Sequence, residues 1–133
     1  MNSTILIIED NELNLELATA LLEAAGFAVL QARCAEIGLR LARAALPDLI
    51  LMDLSLPGID GLAATRNLKA DPAMHHVPVI ALTVHSMRRD ARIIADAGCD
   101  GYLTKPINTR TFPGQVRASL NKHAACLAEG AAA

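Results

Sequence analysis

The sequence predicts an α/β domain in which five helices cover both faces of a doubly wound, five-stranded parallel sheet. Short runs of consecutive apolar residues alternate with longer segments in which apolar residues recur at helical spacing. The short runs are apolar at every position, as expected for strands that are buried on both faces. Strict alternation of strand and helix, joined by right-handed crossovers, favours the strand order 2-1-3-4-5.

The elements follow from these two periodicities. The predicted strands are Thr4–Ile8, Ala28–Ala32, Asp48–Met52, a strand from Val77 or Pro78 to Leu82, and Gly101–Thr104. The predicted helices are Asn11–Ala25, Cys34–Ala44, a helix from Asp60 as its cap to about Ala70, Met87–Ala97, and a last helix over about Thr111–His123. Gly26 and Gly98 follow two of these helices at positions typical of a left-handed cap.

The sequences of the first and the last helix predict more than their bounds. The first is expected to direct Leu17, Ala18, Leu21, Leu22 and Ala25 toward the core. The last contains Pro113, which a helix tolerates only in its first turn, so it is expected to begin near Thr111 as its N-cap.

Composition limits the possible functions. The chain has 133 residues, of which 53% are hydrophobic and 20% charged, and its net charge is −2. We expect a single domain over residues 1–123 and a short alanine-rich tail over 124–133. The absence of a basic block argues against a nucleic-acid surface, and no apolar run reaches the ~18 residues of a membrane helix.

The cysteines and the first residues indicate a cytoplasmic protein. Cys34, Cys99 and Cys126 are odd in number and widely spaced, which favours small apolar residues in a reducing compartment over disulfides or metal ligands. The start of the chain lacks the basic region of a signal peptide and leads directly into a strand. Met1 directly before the first strand and the alanine-rich tail favour a complete, stand-alone chain over a piece of a larger one.

Polar residues capable of chemistry follow four of the predicted strands. Glu9-Asp10, Asp53, Thr83 and Lys105 each stand at a strand end. In open α/β sheets, ligands bind at the edge formed by the carboxyl ends of the strands. Asp10 and Asp53 would follow neighbouring strands about 4.8 Å apart, so both could bind one Mg²⁺ ion together with a backbone carbonyl of the Leu54-Ser55 turn.

Each of these residues also has an ordinary interpretation. A lone acid beside Asn11 is commonly a helix cap, Lys105 could be a surface lysine, and threonine is common at strand ends. The Lys105–Pro106 bond is a candidate for a cis peptide that would direct the lysine inward. Taken together, a metal site, a carboxylate nucleophile, a cation and a hydroxyl predict transfer of a phosphoryl group to a carboxylate.

The motifs that carry these residues resemble those of response-regulator receiver domains over about residues 3–123. They are Ile7–Asn11 (IIEDN), Leu51–Gly61 (LMDLSLPGIDG), Ile80–Thr83 (IALT) and Gly101–Pro106 (GYLTKP). The resemblance implies the flavodoxin-like form of the fold. It also implies a role in two-component or phosphorelay signalling, most similar to stand-alone regulators of the DivK type.

The resemblance implies a role for each site residue. Asp53 would accept phosphate from a phosphohistidine on a sensor kinase or phosphotransfer protein, and Thr83 and Lys105 would contact the phosphoryl oxygens. Mg²⁺ would be held by Asp10 and Asp53 directly, by Glu9 through water and by the backbone carbonyl of Ser55. Tyr102 would be an aromatic switch that turns inward when Thr83 moves, although it could equally be an ordinary strand-end tyrosine.

Partners are expected on two surfaces. The kinase would dock on the outward face of the first helix through Asn11, Asn14 and Leu15, with Leu15 exposed. A downstream protein would bind the face formed by the fourth helix, fifth strand and fifth helix.

Three other functions remain open at this point. A phosphatase with an aspartate nucleophile would need a second aspartate where Ser55 stands. The second alternative is an adaptor that is never phosphorylated. The third is a receiver excised from a hybrid kinase or larger regulator. We expect no enzymatic activity beyond the gain and loss of the chain's own phosphate. Val84, which follows Thr83, is bulkier than the residue that receivers usually have there, so access to the phosphate is expected to be restricted.

Overall fold

The computed structural model describes residues 3–54, 61–83 and 88–132 and contains the expected sheet. All neighbouring strands are parallel, in the order β2-β1-β3-β4-β5. The strands are β1 Thr4–Ile8, β2 Ala28–Ala32, β3 Leu49–Asp53, β4 Val79–Thr83 and β5 Gly101–Thr104. The helices are α1 Glu12–Ala24, α2 Ala35–Ala45, α3 Gly61–Ala70, α4 Arg88–Asp96 and α5 Phe112–Ala132. The predicted fold class and strand order are confirmed.

Both faces of the sheet are covered. Leu6 and Ile8 of β1 pack in a cluster with side chains of α2 and α3. Ile5 and Ile7 point to the other face and pack with side chains of α1 and α5. β3 and β4 are buried at every position. Burial on both faces is the reason that these strands consist of uninterrupted apolar residues.

Two strand boundaries lie one or two residues later than predicted. Asp48 precedes β3, where its N–H donates to Thr4 O at 2.8 Å and its carboxylate accepts from Thr4 N–H at 2.7 Å. β3 begins at Leu49 and ends at Asp53, which pairs in register with Leu82 of β4. β4 begins after Pro78, a residue that has no N–H to donate to a neighbouring strand. The phosphoacceptor candidate is thus part of the sheet itself.

The last helix begins where the proline predicts. Phe112 is its first residue, and the Thr111 carbonyl accepts the N–H of Gln115 at 2.9 Å. The helix continues to Ala132, so the alanine-rich tail is helical. Among the helices of the described residues, none combines the length and apolar character needed to cross a membrane.

The prediction that Leu15 is exposed is wrong. Its side chain is 4% exposed and packs in the core, whereas Leu17, assigned to the core from the sequence, is 40% exposed. The buried stripe of α1 is Leu15, Ala18 and Leu22, at i, i+3 and i+7. The sequence offered two overlapping apolar stripes, and packing on the sheet selects the one that contains Leu15.

Candidate functional site

Polar side chains from four strands meet at one edge of the sheet. Asp53 and Thr83 are the last residues of β3 and β4. Glu9 follows β1, and its N–H extends the ladder by donating to Ala32 O at 3.0 Å. Lys105 follows β5, and its N–H donates to Thr83 O at 2.8 Å. Because backbone pairing continues through these positions, the sheet holds the side chains in place.

Three carboxylates form a cluster at this edge. Oxygens of Glu9, Asp10 and Asp53 all lie within 4.8 Å of one another. Glu9 is 2% and Asp53 is 1% exposed, whereas Asp10 is exposed to solvent. Buried carboxylates this close repel each other, so the folded protein needs positive charge beside them.

Lys105 supplies part of that charge. Its Nζ lies 2.7 Å from Glu9 Oε2 and 3.1 Å from Asp53 Oδ1. The other Glu9 oxygen accepts the N–H of Asn11 at 3.2 Å. The Lys105–Pro106 peptide is cis, as expected, and the lysine is directed into the cluster. The structure therefore places Lys105 between the predicted nucleophile and a predicted metal ligand.

The pKa values of both partners reflect this arrangement. Burial raises the pKa of Glu9, and the charge of Asp53 adds to the increase, while the hydrogen bond from Lys105 offsets only part of it. For Lys105, burial alone would lower the pKa. The hydrogen bond to Glu9 and the charges of both carboxylates outweigh burial, so the pKa of Lys105 is raised. The lysine is consequently a stable cation at neutral pH.

The donor set fits Mg²⁺. Three carboxyl groups beside one ammonium leave a formal surplus of two acidic groups, whose charge a divalent cation would neutralise. The available donors are carboxylate oxygens, which this ion prefers, and the exposure of Asp10 leaves space for the waters that Mg²⁺ retains. Ser55, predicted to add a backbone carbonyl, lies outside the described residues, as does Val84.

One predicted switch residue, Thr83, ends β4 at the same edge of the sheet as the cluster, and the other, Tyr102, lies on β5. Thr83 is 5% exposed, at the end of β4 and next in sequence to Leu82, the register partner of Asp53. Tyr102 is on the edge strand β5 and is 40% exposed, so its ring is partly in solvent. The inward movement of the Tyr102 ring stays a prediction.

A groove beside the cluster lies on the predicted docking face. It has a volume of about 330 Å³ and is lined by Asn14, Leu17, Lys105, Pro106 and Ile107. Asn14, one of the predicted docking residues, lines this groove, and its role in docking stays a prediction.

The other two docking candidates differ. Asn11 is exposed and caps α1 by accepting the N–H of Asn14 at 3.0 Å. Leu15 points into the core. Leu13 and Leu17, at 75% and 40% exposure, are the exposed leucines of α1 that the sequence reading missed. The i, i+3, i+7 spacing of Leu15, Ala18 and Leu22 was the sequence signal that could have placed Leu15 in the core.

Comparison with known proteins identifies the family of this chain. The family model for the response regulator receiver domain matches residues 5–117. The chain is a response-regulator receiver domain. The receiver is 42% identical over 120 residues to the polar-differentiation response regulator DivK of Brucella ovis, covering 90% of this chain and 98% of that protein.

Solved receiver domains have the same fold. One, from a sensor histidine kinase of Pseudomonas aeruginosa with a magnesium ion coordinated in its active-site cleft, is 31% identical, with a TM-score of 0.82 over 91% of this chain and 99% of that one. Another is the signal receiver domain of a histidine kinase from Syntrophus aciditrophicus. It is 32% identical, with a TM-score of 0.81 over 90% of this receiver and 91% of that chain.

Proposed function

We propose that this receiver accepts a phosphoryl group on Asp53 from a phosphohistidine and acts as a DivK-like, single-domain regulator. The observation that carries the proposal is the Lys105 ammonium between Asp53 and Glu9 in a cluster with Asp10. The likeness to DivK, matched over 98% of that protein's length, supports the single-domain form.

The chain's own residues suit each part of the transfer. A carboxylate oxygen of Asp53 attacks phosphorus, an O–P bond forms, and the N–P bond to the donor imidazole breaks. Lys105, already within 3.1 Å of Asp53, stabilises the charge on the transferring oxygens. Thr83, almost buried at the end of β4, donates its hydroxyl to one of them.

Mg²⁺ held by Asp10, Asp53 and Glu9, with the Ser55 carbonyl, would neutralise the phosphoryl oxygens and align the two reactants. The proposed role of Glu9 is indirect, through a bound water. Both Glu9 oxygens are engaged, one by Lys105 and one by the Asn11 N–H, which is consistent with an indirect role.

The output is a population shift. Phosphorylation would favour the conformation in which Thr83 is drawn toward the phosphate and Tyr102 turns inward from its present 40% exposure. A downstream protein would recognise the resulting change on the face of α4, β5 and α5. The histidine-bearing partner, a sensor kinase or phosphotransfer protein, would dock on α1 and the adjoining groove. We propose no turnover of any other substrate and a cytoplasmic site of action.

The decisive experiment replaces Asp53 by asparagine. Asp53→Asn should abolish Mg²⁺-dependent labelling by acetyl phosphate, because an amide lacks the ionised oxygen that attacks phosphorus. Labelling is measured by intact-protein mass spectrometry. Asp48→Asn is the matched control, since Asp48 directly precedes the same strand at its opposite end and bonds the Thr4 backbone. Undiminished labelling of Asp53→Asn would contradict the proposal.

A further inference from the structure

The first turn of α3 packs directly against the main chain of Asp53. A Cβ added to Gly61 would lie 2.5 Å from Asp53 O and 3.0 Å from the Cα of Leu54. Both of these neighbours are backbone atoms, which cannot rotate away as the end of a flexible side chain can. A shift of Gly61 toward Asp53 would therefore push on the Asp53 main chain, and the Asp53 main chain would resist that shift.

A buried hydroxyl holds this turn in place. Thr65 is 0% exposed, and its Oγ1 donates to Gly61 O at 2.8 Å. The same hydroxyl accepts a bond from Cys99 Sγ at 3.8 Å, just before β5. Burial raises the pKa of the Cys99 thiol, so the thiol retains the proton that this bond needs. These contacts connect Cys99, in the turn before β5, through α3 to the main-chain carbonyl of Asp53.

We propose that Thr65 is a positioning residue for phosphoryl acceptance, acting through Gly61 to hold the Asp53 main chain in register with Lys105. The inference rests on the proposed function of Asp53. Thr65 bonds Gly61 and Cys99 in these contacts, so its influence on the reaction passes through the α3 backbone. The effect is measurable because transfer rates depend steeply on the alignment of the reacting atoms.

The chain contains a natural comparison for this bond. A threonine or serine that bonds the carbonyl four residues earlier is common in helices and needs no functional explanation. Ser119 makes such a bond to Gln115 O at 3.0 Å on α5. What distinguishes the Thr65 bond is its acceptor, because Gly61 lies so close to the Asp53 carbonyl that a Cβ on Gly61 would be only 2.5 Å from Asp53 O. Loss of the Ser119 hydroxyl should therefore leave phosphoryl acceptance unchanged.

Two substitutions separate positioning from packing. Thr65→Val keeps the branched shape and removes the hydroxyl, so it loses the bond to Gly61 O without opening a cavity. Its labelling rate at saturating acetyl phosphate and Mg²⁺ should fall about fivefold, with the half-saturating acetyl phosphate concentration unchanged. Thr65→Ser keeps the hydroxyl and loses a methyl group, so it should melt at a lower temperature and label at the wild-type rate.

The experiment measures labelling by mass spectrometry and melting by circular dichroism for wild type, Thr65→Val, Thr65→Ser and Ser119→Ala. Slow labelling of Thr65→Val with normal labelling of the other two supports the inference. Wild-type labelling by Thr65→Val, or rates that follow melting temperature across the set, would overturn it. If the wild type takes no label, both the proposed function and the role of Thr65 are overturned. If the wild type is labelled and Thr65→Val is labelled equally fast, only the role of Thr65 is overturned.

Discussion

Lys105 Nζ lies 2.7 Å from Glu9 Oε2, so an ammonium from the end of β5 neutralises a buried carboxylate from the end of β1. The same ammonium is 3.1 Å from Asp53 Oδ1. The lysine therefore provides positive charge at the position where metal and phosphate are proposed to bind. We therefore expect Lys105 to contribute to stability, in addition to its proposed role in phosphoryl transfer.

Lys105→Met should destabilise the protein by about 3 kcal/mol at neutral pH, because it leaves buried carboxylates without their partner. The free energy of unfolding is measured by urea denaturation in metal-free buffer, with the exposed Lys122→Met as control. Mg²⁺ should bind the variant more tightly, since a competing cation is gone, yet acetyl phosphate labelling should be slower. Unchanged stability would show that the ion pairs contribute little.

The loss caused by Lys105→Met should shrink in mild acid. Burial raises the pKa of Glu9, so the folded state holds this proton more tightly than the unfolded state does. The stabilisation from that proton is present below the unfolded pKa and is lost as pH rises through the folded pKa. Without Lys105 the pKa of Glu9 should rise further, and the variant should lose stability more steeply toward neutral pH than the wild type. Parallel pH profiles of the two proteins would contradict this.

Leu17→Lys should reduce transfer from a histidine kinase about tenfold while leaving acetyl phosphate labelling intact. Leu17 is 40% exposed and lines the groove with Pro106 and Ile107, so a charge there would disturb an apolar docking contact. Transfer is measured with any kinase that phosphorylates the wild type in a transfer profile. Ile37→Lys, on α2 and 42% exposed, is the control. Equal loss with both phosphate donors would mean that the site itself was damaged.

Leu46→Gly should stabilise the protein by about 0.5 kcal/mol, because Leu46 adopts a left-handed conformation with φ 49° that costs an L-residue energy. The side chain is 57% exposed, so little packing is lost. Leu46→Ala removes the same exposed side chain and keeps the unfavourable backbone, and it should give no gain. If chemical denaturation shows that alanine and glycine stabilise equally, the exposed side chain and not the backbone is responsible.

Val84→Ala should shorten the lifetime of phosphorylated Asp53 about threefold in Mg²⁺. The reason comes from the sequence, since Val84 lies outside the described residues: its two methyl groups would hinder water approaching the phosphorus in line. Phosphate loss is followed by mass spectrometry, and Val29→Ala on β2 is the matched control. His85→Ala tests whether a neighbouring imidazole positions that water instead. An unchanged or longer lifetime in Val84→Ala would refute the steric argument.

Local pattern predicted the fold and most of the site. Strands buried on both faces must be apolar throughout, so the strands were recognisable, and their alternation with helices left few topologies. A parallel sheet carries the carboxyl ends of neighbouring strands to one edge. For that reason Asp10, Asp53 and Lys105 could be assigned to one site before any contact was known. The proline near the start of α5 likewise located the beginning of that helix.

Tertiary structure alone decided the contacts that depend on packing. The sequence of α1 contains two overlapping apolar stripes, and only the sheet beneath the helix determines that Leu15 is buried and Leu17 exposed. The pairing of Lys105 with Glu9, and the contact of Gly61 with Asp53 O, join residues on different elements. By itself, the sequence determined which residues stand at strand ends, because strand and helix periods are local. Which atoms touch there depends on the close approach of separate elements, and that is set by side-chain volume and burial across the whole core.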